Sequence, residues 1–134
     1  MAEDLILVVD DDPAVLQAAA AMLTQSGYRV LVASDAAMAF KLFETKPGIA
    51  LLITDVVMPG LDGLMLADMV KLRHPEARIV YTTGNPAVAE RQPGLRYGPT
   101  VDKPIRAAQL ETLVRDVLAR PAAPFGFRPD CPSA

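Results

Sequence analysis

The chain has 134 residues, of which 51% are hydrophobic and 22% charged, and its formal net charge at neutral pH is −3. This balance is typical of a single globular domain and excludes a fibrous or largely disordered chain, while the lack of basic excess gives nucleic-acid binding no support. The N-terminus has no basic segment before an apolar run, and Cys131 is the single cysteine. We therefore expect a cytoplasmic protein without a membrane segment or a disulfide framework.

Short apolar runs alternate with longer segments of helical periodicity, which predicts a parallel sheet wrapped by helices. The predicted strands are Leu5–Val9, Arg29–Ala33, Ala50–Thr54, Ile79–Thr82 and Thr100–Asp102. The second predicted helix is the segment Ala36–Thr45. The apolar faces of the other predicted helices are Val15, Leu16, Ala19, Met22 and Leu23 in the first, Leu66, Met69 and Val70 in the third, and Leu110, Leu113, Val114, Val117 and Leu118 in the last. The sequence thus predicts a doubly wound α/β fold.

Capping residues indicate where the first and third helices begin and end. Asp12 is suited to cap the first helix, with Pro13 in its first turn and Gly27 at its exit. The third helix begins after Asp62-Gly63 and ends near His74, because a proline follows. Both helices are therefore bounded by the sequence itself.

Two segments lack clear periodicity. Three prolines and two glycines between residues 85 and 99 leave room for only a short or remodelled fourth helix around Ala87–Arg91. Beyond Arg120 the sequence is Pro-rich. We expect one domain over residues 1–120, followed by a tail over 121–134 without an output domain.

Polar residues follow four of the predicted strands. They are Asp10-Asp11-Asp12, Asp55, Thr83-Gly84 and Lys103-Pro104. Each set alone is ordinary, since acids after strands cap helices and Thr-Gly or Lys-Pro pairs occupy turns and loops. The carboxyl ends of parallel strands share one edge of a sheet, so we expect these residues to converge there.

The segments Ile6–Pro13, Leu52–Gly63, Tyr81–Gly84 and Val101–Pro104 resemble the four signature segments of response-regulator receiver domains of two-component phosphorelay systems, of the stand-alone type. The resemblance implies a CheY-like, flavodoxin-like fold with five parallel strands in the order 2-1-3-4-5. It also implies a signalling switch that is phosphorylated by a histidine kinase or histidine phosphotransfer protein and acts through an unknown downstream protein or as a phosphate sink.

The same resemblance assigns roles to individual residues. Asp55 is the expected phospho-acceptor, Thr83 the hydroxyl that contacts the phosphoryl group, and Lys103 its ammonium partner. The Lys103-Pro104 bond is expected to be cis, which would direct the ammonium into the site. Mg²⁺ is expected on Asp11, Asp55 and the main-chain carbonyl of Val57, with Asp10 bound through water. Asp12 is better explained as a helix cap.

These residue types suit phosphoryl transfer on chemical grounds as well. Mg²⁺ takes one or two carboxylates together with phosphate oxygens and water. A carboxylate nucleophile needs no activating base, so the protein has to position it and to neutralise charge on the phosphoryl oxygens. Lys103 and Mg²⁺ would neutralise that charge, and the amides of Val56 and Gly84 are further expected donors.

One position departs from the family pattern. Well-known receivers carry an aromatic residue three places before the lysine, and here that position is Thr100. Tyr97 is the nearest aromatic residue on that side, three residues away. The coupled movement of threonine and aromatic side chain is therefore not carried over to this chain.

Other functions stay open. A Mg²⁺-dependent phosphatase or phosphotransferase would place its nucleophile after the first strand in an Asp-x-Asp-x-Thr arrangement, and Asp10-Asp11-Asp12-Pro13 lacks that threonine. A binding module without phosphorylation would be expected to lack a key acid or the lysine, and none is lacking. Asp55 could also merely cap a turn before Met58-Pro59-Gly60.

Overall fold

A computed structural model describes residues 4–84 and 97–122. In chain order its elements are β1 Leu5–Val9, α1 Pro13–Gln25, β2 Arg29–Ala33, α2 Ala36–Thr45, β3 Ile49–Asp55, α3 Gly63–Arg73, β4 Arg78–Thr83, β5 Thr100–Asp102 and α4 Ala107–Leu118. All five strands are parallel and lie in the order β2-β1-β3-β4-β5. The predicted sheet and its strand order are confirmed.

Alternate residues of each strand supply two hydrophobic cores, one on each face of the sheet. Leu7 and Val9 of β1 join the core formed with α2 and α3, whereas Ile6 and Val8 join the core formed with α1 and α4. Both faces are thus covered by helices, and the open edge at the carboxyl ends of the strands is left for polar residues.

The cap predicted for α1 is confirmed, since Asp12 accepts a hydrogen bond from Ala14 N at 2.9 Å. α3 was expected to begin after Gly63 and begins at Gly63, where Asp62 caps it by accepting a hydrogen bond from Met65 N at 2.9 Å. Gly27 follows the end of α1 with a positive φ of 96°, a conformation that glycine adopts without a steric penalty.

The structure also corrects several details. β3 continues through Asp55 and β4 through Thr83, so both residues end strands rather than follow them. On α3, Met69 was expected to be buried and is only half-buried, while Ala67 and Lys71 are buried.

The predicted short helix around Ala87–Arg91 and most of the predicted tail, over 123–134, lie outside the described residues. The domain boundary at residue 120 stays a prediction. None of the helices described in 4–84 and 97–122 has both the length and the apolarity needed to cross a bilayer.

Candidate functional site

Two buried acids lie side by side where β1 and β3 end. Asp10 follows Val9, whose partner in the sheet is Thr54, the residue before Asp55. Asp10 is 1% exposed and Asp55 is 5% exposed. Because neighbouring parallel strands end together, both carboxylates lie at the same edge of the sheet.

A third acid completes this cluster. Asp11 is exposed, and one carboxylate oxygen each from Asp10, Asp11 and Asp55 lie within 4.8 Å of one another. The loop between β1 and α1 is stabilised by Asp12 N, which donates a hydrogen bond to Asp10 Oδ1 at 2.9 Å. Asp12 uses its own carboxylate to cap α1, as predicted, so it is not part of the cluster.

Lys103 reaches both buried acids from β5. Its Nζ atom lies 2.7 Å from Asp10 Oδ2 and 3.1 Å from Asp55 Oδ2. The main-chain N–H of Lys103 donates to Thr83 O at 2.8 Å, and the Lys103-Pro104 bond is cis, as predicted. The lysine side chain therefore spans the end of β4 to reach acids on β1 and β3.

Opposing effects act on the pKa of Lys103. Burial disfavours the charged amine, but the contacts with Asp10 and Asp55 outweigh burial and raise the pKa above its ordinary value. Lys103 consequently stays an ammonium over the whole physiological pH range. Sequence reasoning foresaw a role beside Asp55 and missed Asp10 as the shorter contact.

The pKa of Asp55 is raised. Burial is the main cause, the negative charge of Asp10 adds to it, and the hydrogen bond from Lys103 opposes it. Asp55 Oδ1 also accepts a hydrogen bond from Val57 N at 3.4 Å. Among the described residues of the site, one ammonium therefore faces two buried carboxylates, which leaves the cluster short of positive charge.

The acids carry more negative charge than Lys103 alone can neutralise. Asp10 Oδ2 is buried, and apart from its ion pair with Lys103 Nζ at 2.7 Å it has no hydrogen-bond partner in the described part of the chain. A hard cation with oxygen ligands would offset the excess negative charge on Asp10, Asp11 and Asp55. The donor set fits Mg²⁺.

Two adjacent threonines end β4 at this edge. Thr82 pairs with Asp55 in the sheet, and Thr83 is the last residue of the strand. Both are 2% exposed. The structure thus places Thr83 one residue beyond the strand partner of Asp55 and in backbone contact with Lys103, and its role toward a phosphoryl group stays a prediction.

The prediction for the amide of Val56 is wrong, because Val56 N donates to Thr82 O at 2.9 Å within the sheet. The prediction for the Gly84 amide stays untested. Val57 follows in the loop with 63% of its surface exposed. Its main-chain carbonyl is near the acids in sequence, and its metal-binding role stays a prediction.

Gly63 is a contact of the site that sequence reasoning missed. A Cβ atom at this position would overlap the carbonyl group of Asp55 and approach Thr54 Oγ1 to 3.1 Å. Gly63 N donates to Val56 O at 3.0 Å. The first residue of α3 therefore lies directly against the backbone of Asp55, and the available signal was a glycine at the start of a helix.

Two surface grooves differ in their relation to the cluster. One, of about 200 Å³, is lined by Lys103 together with Ala14, Val15, Ala18, Pro104 and Ile105. The other, of about 740 Å³, runs along α4 and β5 and contains none of the predicted site residues. Of these two grooves, the smaller one therefore includes a predicted site residue, Lys103.

The family profile described as response regulator receiver domain matches residues 6–115. The chain belongs to this family. It is 34% identical over 130 residues to the response regulator MprA of Mycobacterium sp. (strain KMS), an alignment that covers 96% of this chain and 55% of MprA. More generally, the chain spans 19–55% of the length of the curated relatives that it matches.

Solved receiver structures agree with the fold. A response regulator receiver protein from Sinorhizobium medicae WSM419 is 28% identical, with a TM-score of 0.79 over 87% of this chain and 95% of that protein. The response regulator TrrA from Thermotoga maritima, solved in complex with Mg²⁺-BeF, is 26% identical, with a TM-score of 0.76 over 85% and 98% of the two chains. This chain is thus a receiver in both sequence and architecture.

Proposed function

We propose that the protein is a phosphorylation-dependent switch of a two-component system and that Asp55 accepts the phosphoryl group. The observation that carries this proposal is the Lys103 ammonium between Asp10 and Asp55, at an edge where three carboxylates converge. A buried nucleophile beside a fixed cation is the arrangement that phosphoryl transfer requires. Membership of the receiver family supports the same function.

In the proposed reaction, a carboxylate oxygen of Asp55 attacks the phosphorus of a phosphohistidine or a small phosphoramidate. The new O–P bond forms as the P–N bond breaks, and the electron pair goes to the leaving nitrogen. From phosphohistidine the leaving group is neutral imidazole with its proton on the other ring nitrogen, and from phosphoramidate it is ammonia. Lys103 favours the carboxylate form of Asp55 and then neutralises charge on the transferred group. Thr83 is proposed to donate its hydroxyl hydrogen to a phosphoryl oxygen.

Mg²⁺ is the proposed cofactor, held by Asp11, Asp55 and the main-chain carbonyl of Val57, with Asp10 bound through water. When bound, it supplies positive charge to the phosphoryl oxygens. The converging carboxylates and the unsatisfied Asp10 Oδ2 support this assignment. The Mg²⁺-BeF complex of TrrA supports it further, because beryllium fluoride resembles a phosphoryl group in charge and shape.

The proposed donor is a histidine kinase or a histidine phosphotransfer protein in the cytoplasm. The apolar groove beside Lys103, lined by Val15 and Ile105 among others, gives such a donor a surface to contact while its phosphohistidine faces Asp55. The output is proposed to be a protein interaction or removal of phosphate from the donor, without turnover of an outside substrate.

Intact mass spectrometry tests the proposal. The chain is incubated with phosphoramidate and Mg²⁺, beside the variants Asp55→Asn and Asp62→Asn. We expect one added phosphoryl group in the wild type and in Asp62→Asn, whose change affects a helix cap outside the site, and none in Asp55→Asn. Steady hydrolysis of a phosphate ester would instead favour an enzyme. Absence of an adduct with any phosphodonor would contradict the proposal.

A further inference from the structure

The strand that carries Lys103 is the least supported strand of the sheet. β5 has three residues and forms its described backbone ladder with β4 alone. Short edge strands shift easily because few hydrogen bonds fix their position. Yet the Lys103 ammonium contacts two acids at 2.7 and 3.1 Å. Some other contact must therefore hold this part of the chain in place.

Tyr97, three residues before β5, makes such a contact. Its side chain is buried in the core between the sheet and α3, and its hydroxyl donates a hydrogen bond to Asp68 Oδ1 at 2.7 Å. The Tyr97 ring also lies 5.9 Å from Lys71 Nζ. Asp68 and Lys71 both belong to α3, so these contacts connect the segment before β5 to that helix.

Lys71 makes the helix side of this contact rigid. It is fully buried, and its Nζ atom donates to Pro75 O at 3.1 Å and to Ala77 O. These carbonyls belong to the turn between α3 and β4, so the ammonium is held in place independently of Tyr97. The ring of Tyr97 therefore packs against a fixed cation, a favourable arrangement for an aromatic face.

Close contacts with β4 continue from Tyr97 to the lysine. Gly98 approaches Ile79 O so closely that a Cβ atom there would overlap it, and Tyr81 N donates to Pro99 O at 3.0 Å. At the other end, Lys103 N donates to Thr83 O at 2.8 Å. Residues 98–103 thus lie alongside β4, and Tyr97, directly before them, contacts α3.

We infer that Tyr97 is a positioning residue for phosphoryl transfer: through Asp68 and Lys71 it fixes β5 and so places the Lys103 ammonium between Asp10 and Asp55. This inference rests on the proposed function of Asp55. Displacement of a catalytic group by about 1 Å can lower a rate by roughly 100-fold. A side chain far from the phosphoryl group can therefore control the rate.

The test compares Tyr97→Phe and Asp68→Ala with Asp68→Asn, whose amide oxygen can still accept the tyrosine hydrogen bond. Tyr28→Phe is the control, since Tyr28 packs with the core on the other face. Phosphorylation by phosphoramidate is followed at saturating Mg²⁺, and the dissociation constant of Mg²⁺ is measured separately. The expected result is a rate roughly tenfold lower in Tyr97→Phe and Asp68→Ala, with Asp68→Asn and Tyr28→Phe near wild type.

The affinity for Mg²⁺ distinguishes displacement of Lys103 from a general distortion of the site. The proposed ligands of Mg²⁺ lie at β1 and β3, and displacement of the Lys103 ammonium removes a competing positive charge from them, so the dissociation constant should not rise while the rate falls. The double variant Tyr97→Phe/Asp68→Ala should be no slower than either single variant, because both remove one contact. Wild-type rates in both single variants, or a parallel loss of rate and Mg²⁺ affinity, would overturn the inference.

A second measurement needs no phosphorylation. The NMR signal of the Lys103 ε-methylene group, recorded without Mg²⁺ in the full chain, should move in Tyr97→Phe and Asp68→Ala and stay in place in Tyr28→Phe. An unmoved signal would refute the positioning role. If the wild type were never phosphorylated on Asp55, the proposed function would fail, while this signal would still decide whether Tyr97 places Lys103.

Discussion

Gly63 and Asp55 are in backbone contact, with no room for a Cβ atom between the start of α3 and the end of β3. The hydrogen bond from Gly63 N to Val56 O, at 3.0 Å, holds this contact. The backbone of the proposed phospho-acceptor therefore cannot shift toward α3 without moving the helix. Asp55 is held from the helix side by glycine and from the sheet side by β1 and β4.

Replacing Gly63 by alanine should destabilise the protein by roughly 1–3 kcal/mol, because the new methyl group must displace either α3 or the Asp55 carbonyl. Urea unfolding would measure the change. Met65→Ala, an exposed position on the same helix, is the control and should change stability by no more than about 0.5 kcal/mol. Equal stabilities of Gly63→Ala and the wild type would show that the contact is looser than described.

Mg²⁺ should raise the melting temperature, and Asp11→Asn should abolish the increase. At a Mg²⁺ concentration tenfold above the dissociation constant, binding to the folded state adds about 1.4 kcal/mol to the free energy of unfolding. Asp12→Asn is a matched control, because asparagine also caps helices and Asp12 faces α1 rather than the cluster. Calorimetry with and without Mg²⁺ measures both. A full response in Asp11→Asn would remove Asp11 from the site.

The raised pKa of Asp55 predicts a defined pH dependence of stability without metal. The folded state binds the Asp55 proton more tightly than the unfolded state, whose pKa is near the ordinary 3.8. As pH rises from about that value through the folded-state pKa, the wild type should therefore lose stability relative to Asp55→Asn. Urea unfolding of both proteins across this range, in a chelating buffer, is the measurement. A difference that is constant or rises with pH would contradict the assignment.

Lys71 should make the stability of the protein rise with pH in the alkaline range, the opposite of the effect of Asp55. Burial, followed by repulsion from Arg78, lowers its pKa from 10.5 to about 8, against an opposing attraction to Glu76. Between these values the unfolded chain holds more protons than the folded chain, so wild-type stability should rise with pH relative to Lys71→Met. The exposed Lys41→Met serves as the control in parallel urea titrations. Identical profiles for wild type and Lys71→Met would show that Lys71 is not buried as a cation.

Much of the fold could be predicted, because apolar periodicity and strand ends are local properties of the sequence. Each predicted strand is present, and the structure extends two of them by one residue at each end, β3 to Ile49–Asp55 and β4 to Arg78–Thr83. The meeting of Asp10, Asp55 and Lys103 followed from one rule, that parallel strands end at a common edge. The cis bond before Pro104 came from the resemblance and is confirmed.

The contacts that were missed depend on side-chain reach and helix approach, which spacing does not encode. Tyr97 and Asp68 are 29 residues apart, and nothing local indicates that they touch. Lys71 reads as a surface lysine, yet it lies four residues after buried Ala67 and so on the inner face of α3. That spacing was an available signal. His74, at the end of α3, packs its ring against Phe43 at 5.4 Å and lies 2.9 Å from Glu44, and these contacts too are not encoded in local spacing.

The proposed site draws its charges from distant parts of the chain. Asp10, Asp11 and Asp55 lie in the first half, whereas Lys103 follows Asp55 by 48 residues and arrives with the last strand. Until β5 joins β4, two buried acids face each other without their ammonium partner. A chain in which β5 has not joined β4 would lack the ammonium beside Asp55, so the proposed phosphorylation requires this last strand to be in place.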